Sequence, residues 1–209
     1  MPNWCSTNYV VEGPKKDLDI IYKAICDVIQ GKAETQEGSV QNWEGNVLHA
    51  LHIPSELENP NRVAACMRGF IYDYPTWDGE NEDRLRFAAE EAWARTNFAE
   101  ALKIRFKDIR IYWSAEEPGC DYYVTNDAEG VYFGGFVADT EDGTEYFDSL
   151  EEVYRFLGKC YDCHCEEDVV RYNEEHDSWI CIHEFAVDTD EFSFGDVPLI
   201  GVDTNLFNA

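Results

Sequence analysis

The sequence predicts an α+β protein built on a ferredoxin-like split βαβ sheet with helices on one face. Its segments follow the order strand–helix–strand–strand–helix–strand, which is the order of that topology. Extra strands and a further helix are expected at the carboxyl end of this arrangement. Hydrophobic residues make up 44% of the 209 residues, so the chain can bury a core, and global disorder is excluded. The name describes topology and implies no iron.

The first strand and helix are the clearest elements. Residues 9–12 are β-branched, aromatic and acidic, and we predict a short strand there. Pro14 then stands at the first position of a helix, where its missing N–H costs nothing. Gly31 supplies the left-handed residue expected just after the helix ends. One apolar stripe at helical spacing lies between these two signals: Leu18, Ile21, Tyr22, Ile25, Val28 and Ile29.

Residues 83–107 have two interpretations. Their composition favours one long helix, but Leu85, Phe87 and Ala89 occupy alternate positions, which is typical of a half-buried strand. A helix over the whole stretch would also be long against a mean of about 11 to 12 residues. We therefore predict a strand at 84–91 followed by a helix at 96–107.

The remaining elements are shorter. The capping-box pair Ser149 and Glu152 predicts the start of a helix that Gly158 ends. Residues 47–53 fit a short strand or a helical turn, residues 61–66 fit a short helix, and the last 20 residues look irregular. Five further segments are predicted strands: 69–74, 109–113, 122–125, 131–137 and 179–187.

The strands at 122–125 and 131–137 are predicted to pair across the turn between them. They would complete a ferredoxin-like α+β domain at residues 1–137. Residues 138–209 would form an acidic extension packed on that domain, and one continuous domain is the alternative.

Charge is distributed unevenly along the chain, whose formal net charge is -27. Residues 1–105 carry 17 acids and 11 bases, whereas residues 106–209 carry 26 acids and five bases. This acidity excludes direct binding to nucleic acid through phosphate contacts and argues against docking on an anionic membrane. The acidic half is either a solvated surface or a binding face for a basic protein partner, which in one form would mimic DNA. Asp148, Glu151 and Glu152 are our candidates for contacts with that partner.

The sequence also predicts a cytoplasmic location. The first five residues show neither the basic nor the apolar region of a signal peptide. No apolar run approaches the ~20 residues that would span a bilayer. Eight cysteines in 209 residues are too sparse for a disulfide scaffold, so we expect free thiols in a reducing compartment.

Cysteine and histidine spacing suggests one metal site. Cys160 and Cys163 form a C-x-x-C pair, and Cys181 with His183 forms a second, tighter pair. Thiolate and imidazole ligands suit tetrahedral zinc. The alternative is that these are ordinary buried or loop thiols, because free cysteine is among the most buried residue types. No other cofactor is predicted.

An enzymatic role has weaker support. The pairs Glu90–Glu91 and Glu116–Glu117 would suit a glycosidase only if two carboxyl groups faced each other. Adjacent residues on a strand point to opposite faces, so each pair offers one carboxylate to a given face. We therefore expect a non-enzymatic interaction module, and the alternative is a small zinc-supported domain or an enzyme of unknown reaction.

Several short motifs of the chain match those of a known family. They are Pro2-Asn3-Trp4-Cys5-Ser6-Thr7-Asn8, Ala92-Trp93, residues 112–119 ending in Glu-Glu-Pro-Gly, and Glu129-Gly130-Val131-Tyr132-Phe133. Over roughly residues 2–135 the chain thus resembles the YubB ferredoxin-like family, whose members occur in bacterial plasmids, phages and conjugative elements. The resemblance implies a ferredoxin-like fold and an origin on mobile DNA, and it implies no particular activity, cofactor or catalytic residue. The later segments 147–154 and 183–185 are similar to the tails of members from gut bacteria.

Overall fold

The protein is an α+β structure, described here from a computed structural model at residues 3–53, 67–77 and 83–188. Those residues form five α-helices, a six-stranded mixed sheet and a three-stranded antiparallel sheet. The helices are α1 (Lys15–Ile29), α2 (Glu44–Ala50), α3 (Phe98–Arg105), α4 (Leu150–Cys160) and α5 (Glu166–His176). The strands are β1 (Trp4–Glu12), β2 (Gly69–Ile71), β3 (Arg84–Ala92), β4 (Arg110–Glu117), β5 (Tyr122–Thr125), β6 (Phe136–Thr140), β7 (Gly143–Phe147), β8 (Cys181–Glu184) and β9 (Ala186–Val187).

The larger sheet has β1 near its centre, and its strands follow the order β2-β3-β1-β4-β5-β9. Strand β1 pairs antiparallel with both β3 and β4, and β2 pairs antiparallel with β3. Along β1, β3 and β4 the odd-numbered side chains face α1, α2 and α3, and the even-numbered ones face the opposite side. We call that opposite side the open face.

Helix α1 confirms the predicted stripe. Leu18, Ile21, Ile25 and Val28 are buried against the sheet, and each such side chain contributes about 1.5 to 3 kcal/mol relative to an exposed one. The helix ends at Ile29, and Gly31 adopts a φ of 68° just beyond it.

The choice of a strand followed by a helix is also confirmed. The strand is β3 and the helix is α3, with Leu85, Phe87 and Ala89 all buried. Phe87 and Phe98 then meet edge to face, with ring centroids 5.8 Å apart, so the strand and the following helix share one core. Of the segment 47–53, residues 47–50 lie in α2 and residues 51–53 follow its end, so the helical alternative is confirmed.

The smaller sheet, in the order β7-β6-β8, packs against α4 and α5 around a second core. Val153, Leu157 and Val169 supply the helical part of that core. Tyr123 of β5 and Phe185 pack with Val137 of β6 in a third cluster, which joins the two sheets. Strand β9 then adds in parallel to β5, so the carboxyl half contributes a strand to the larger sheet.

The predicted pairing of 131–137 with 122–125 is wrong. Residues 131–135 form no strand, and β6 pairs with β7 and β8 instead. The carboxylate of Asp127 accepts hydrogen bonds from the backbone N–H groups of Val131, Tyr132 and Phe133, and these donors are therefore withdrawn from any sheet.

Other boundaries differ more modestly. Helix α4 continues through Gly158 to Cys160, and Ser149 caps it as predicted, with its hydroxyl accepting from the N–H of Glu152. Strand β7 and helix α5 were not predicted. The predicted helix at 61–66 and the irregular segment from residue 190 lie outside the described residues. Within the described ranges, the helices are all too short or too polar to cross a membrane.

Candidate functional site

A cleft of about 420 Å³ lies on the open face of the larger sheet. Its floor is made by the central strands. Ala88 of β3, Asn8 of β1 and Ser114 of β4 lie side by side in one row across them. All three side chains are small, whereas Tyr74 and Tyr146 rise on either side. A row of small side chains between aromatic walls produces the depression.

The wall formed by Tyr132 and Phe133 is fixed by Asp127. This carboxylate is 5% exposed and accepts from the N–H groups of Val131 at 3.0 Å, Tyr132 at 2.6 Å and Phe133 at 3.1 Å. Gly134 lets the same loop lie directly on β7, because a Cβ at this position would stand 2.6 Å from the carbonyl oxygen of Phe147. The wall is therefore held before any ligand arrives.

Arginine and tyrosine side chains meet at one end of the cleft. The guanidinium groups of Arg84 and Arg86 lie 5.3 Å and 5.9 Å from the centre of the Tyr132 ring, within cation–π range. The Tyr132 hydroxyl donates to Glu12, and burial followed by this hydrogen bond raises the pKa of Tyr132 to about 12. Among the described residues, Arg84 pairs with Asp83, and Arg86 has no ion-pair partner.

Two glutamates lie on the open face next to the cleft. Glu90 and Glu116 are both opposite Ser6 in the register of β1 with β3 and β4. The Tyr146 hydroxyl donates to Glu116 at 2.7 Å, yet burial raises the pKa of that carboxyl overall. Each pair of adjacent glutamates is divided between the two faces, as the strand geometry predicts, because Glu91 and Glu117 are buried on the helix side.

A second cluster of titratable groups lies on that helix side. Glu44 of α2 and Glu91 of β3 are both fully buried, and Thr96 Oγ1 lies 2.9 Å from one and 2.6 Å from the other. A hydroxyl has one proton and can donate to only one of these carboxyl groups. Glu91 also accepts from the hydroxyls of Tyr9 and Thr7, so Glu91 is the acceptor of the pair and we assign the shared proton to Glu44, which is also hydrogen-bonded to Glu91.

The pKa of Glu44 agrees with this assignment. Burial raises it well above its usual range, and the charge of Glu91 raises it further. Gly69 makes room for the acid, because a Cβ there would stand 2.6 Å from the carboxyl carbon of Glu44. Glu44 and Glu91 therefore form a buried acid–carboxylate pair, with no opening onto the cleft on the opposite face of the sheet.

The candidate zinc ligands have different surroundings in the structure. Cys160 and Cys181 are exposed, and Cys163 is buried with its Sγ 3.4 Å from the carbonyl oxygen of Tyr161. His183 stacks on Tyr123, and its Nδ1 lies 3.0 Å from Asp121. Within the described ranges no three side chains of Cys, His, Asp or Glu are grouped as metal ligands, so the structure does not assemble the predicted site.

The candidate partner contacts have local roles around the start of α4. Glu151 pairs with Arg155 at 2.8 Å, and Glu152 Oε2 accepts from the N–H of Asp148 at 3.3 Å. Negative side chains in the first turn of a helix are favoured by its dipole. These acids therefore support α4 whether or not they also meet a partner.

The sequence did not reveal the roles of Glu44 and Asp127. Glu44 stands among polar residues with no strand or helix predicted, and Asp127 stands in the turn between the predicted strands at 122–125 and 131–137. Turn signals around Asp127 were visible, but its three backbone partners depend on the fold. The floor of the cleft could have been located from strand alternation once the strand order was known.

No family model, curated protein or solved structure matches the chain. The fold and the site define its class: an α+β protein with an aromatic cleft on one side of its main sheet and a buried carboxyl pair on the other.

Proposed function

We propose that the protein is a non-enzymatic interaction module whose acidic carboxyl half binds a basic protein. The charge of residues 139–188 carries this proposal: 16 acids stand against three bases in that segment. Two of the bases, Arg155 and Arg171, are already paired with acids on their own helices. The surface that remains is strongly negative, and it would attract a basic partner over about a Debye length.

Helix α5 shows how this charge is presented. Glu166, Glu167, Glu174 and Glu175 are exposed on it, and only Val169 is buried. Val170 is exposed on the same helix, so apolar surface lies beside the carboxylates. A binding face commonly combines apolar contact with a charged surround. This pattern supports contact with a protein rather than a purely solvated surface.

DNA mimicry is one form of this proposal. A duplex presents one negative charge per ~1.7 Å of its axis, and a dense array of carboxylates would attract proteins that recognise phosphates by charge. The resemblance of residues 2–135 to the YubB family supports an origin on mobile DNA, where such partners are encountered. The antiparallel order β2-β3-β1-β4 supports the ferredoxin-like topology that this family implies.

The test is affinity capture from bacterial lysate with the partners identified by mass spectrometry. We expect one or more basic proteins to be captured at low salt and released by moderate salt. Changing Asp148 to Asn and Glu151 and Glu152 to Gln should weaken capture. A matched variant neutralises three acids of α1 and should not: Asp17→Asn, Asp19→Asn and Asp27→Asn.

Equal capture by both triple variants would contradict the role of the first acidic group. Capture that resists moderate salt would contradict an electrostatic interface altogether. For the DNA-mimic form, added duplex DNA should displace the partner, and a partner that remains bound at saturating DNA would refute mimicry.

A further inference from the structure

We propose that the cleft on the open face binds a small planar heteroaromatic anion of about the size of a mononucleotide. This site is separate from the acidic surface of the carboxyl half and does not depend on it. The shape of the cleft, the polar group on its floor and the cation at one end each support the assignment.

The shape selects a flat ligand of limited size. A volume of about 420 Å³ falls within the range of about 300 to 1,000 Å³ that is typical of small-molecule sites. Ala88 leaves open sheet surface on the floor, and Tyr74, Phe133 and Tyr146 form the sides. Aromatic side chains favour stacking or edge contacts with a planar ring.

The floor carries a polar group that can recognise the edge of a heterocycle. Asn8 is exposed at the centre of β1, within the cleft. Within the described part of the chain, its amide makes no side-chain hydrogen bond. One carboxamide offers both a donor and an acceptor, and asparagine pairs in this bidentate way with adenine.

Charge fixes the orientation of the ligand. Arg86 lies at one end, on the same face as Asn8, and its guanidinium is without a carboxylate partner among the described residues. In a chain with 43 acids and 16 bases, an arginine left unneutralised beside an aromatic cleft is a specific feature. Asp73 also lines the cleft, where its carboxyl accepts from the N–H of Tyr74 at 2.7 Å. Arg86 is the basic side chain that lines the cleft, so the anionic group should lie at Arg86.

The wall also has the rigidity that a binding site requires. Because Asp127 holds the loop of Tyr132 and Phe133 through three hydrogen bonds, little conformational entropy would be lost when a ligand binds. Arg86 is in addition oriented by the Tyr132 ring, 5.9 Å from its guanidinium carbon.

The test compares three probes on the full chain by NMR titration: AMP, adenosine and ribose 5-phosphate. We expect AMP to bind with a dissociation constant below about 1 mM and to shift the resonances of Asn8, Ala88 and Tyr132. Adenosine should bind more weakly because it lacks the charge. Ribose 5-phosphate should bind most weakly because it lacks the ring.

Two variants separate the charge from the ring. Arg86→Ala should weaken AMP by about tenfold, the loss expected for one charge-assisted hydrogen bond, and should change adenosine by less than about twofold. Ala88→Phe fills the floor and should weaken both probes by about tenfold or more. Arg155→Ala removes the same charge from a distant exposed helix and should leave all three probes unchanged.

Three results would overturn the assignment. One is a dissociation constant for AMP above about 10 mM. Another is binding of ribose 5-phosphate as tight as that of AMP, which would show a phosphate contact without ring recognition. The third is an equal loss of AMP affinity in Arg86→Ala and Arg155→Ala, which would show an effect of net charge alone.

Discussion

Replacing Glu44 by glutamine should change how the stability of the protein depends on pH. Glu44 is fully buried beside Glu91, and burial raises its pKa well above the usual range. The folded protein therefore keeps a proton at Glu44 that the unfolded chain releases above about pH 4.3. Glutamine has nearly the same shape and carries its donor at every pH.

The direction and size of this pH dependence follow from proton linkage. The native state binds more protons than the unfolded state, so the free energy of unfolding falls as pH rises. The contribution of Glu44 is fully present below the unfolded pKa, and it is lost at about 1.36 kcal/mol per pH unit while the folded state holds the proton. From pH 5 towards pH 7 the free energy of unfolding of the wild type should therefore fall at this site, and that of Glu44→Gln should not.

The assay is urea denaturation at pH 5, 6 and 7 for the wild type and Glu44→Gln. The quantity to compare is the difference in the free energy of unfolding between the two proteins at each pH, because the contributions of the other titrating groups cancel in it. We expect this difference in the free energy of unfolding to move in favour of Glu44→Gln as pH rises, by at most about 1.36 kcal/mol per pH unit. Parallel curves for the two proteins would refute the assignment of the buried proton to Glu44.

Glu91→Gln is the matched control. Glu91 accepts from Thr7, Tyr9 and Thr96, and an amide would present two N–H donors to these groups. We expect a loss of about 2 to 4 kcal/mol at every pH, since a buried acceptor is replaced while its donors remain. A gain in stability at pH 7 in Glu91→Gln would show that Glu91 holds the proton and that Glu44 is the acceptor.

Three further predictions concern the backbone, each measured by urea denaturation. Trp93 is 64% exposed and adopts a φ of 68°, so Trp93→Gly should raise the free energy of unfolding by about 0.5 to 1 kcal/mol. Trp93→Ala keeps a Cβ and should give no gain in stability. A gain in that variant would contradict backbone strain at residue 93. Ser149→Ala removes the acceptor at the start of α4 and should lower the free energy of unfolding by about 1 kcal/mol. Ser149→Asp keeps an acceptor there and should retain most of the wild-type stability. An equal loss of stability in the two variants would refute the capping role. Asp127→Ala should cost about 2 to 3 kcal/mol because three backbone donors lose their acceptor; Asp127→Asn should cost less, and equal costs would show that the oxygen acceptors contribute little.

The parts of the fold that depend on local pattern were predictable from the sequence. The stripe of α1 and the alternation in β3 both follow from burial on one side, which fixes the period of apolar residues. Helix α5 was missed because its single buried residue, Val169, leaves almost no stripe. Strand β7 was missed for a similar reason, because none of its residues is buried.

Sites that depend on contacts between distant segments were not predictable. Glu44 and Glu91 are 47 positions apart in the sequence, and the contact between them depends on the packing of α2 against α1, α3 and β2. The zinc prediction rests on sequence spacing alone. Spacing in the sequence does not by itself direct side chains such as Cys160 and Cys181 to one point, and among the described residues no three possible ligands are grouped.

The two adjacent glutamate pairs show how one sequence motif is divided between two roles by the sheet. Strand alternation sends Glu91 to the helix side, where Thr7 and Tyr9 donate to it, and sends Glu90 to the open face. A shift of one residue in the pairing of β1 with β3 would exchange these environments, exposing an acceptor that needs buried donors and burying a solvated acid. The buried pair therefore helps to fix the register of the central strands. That register in turn places Asn8 and Ala88 side by side on the floor of the cleft, so the stability of one face sets the geometry of the other.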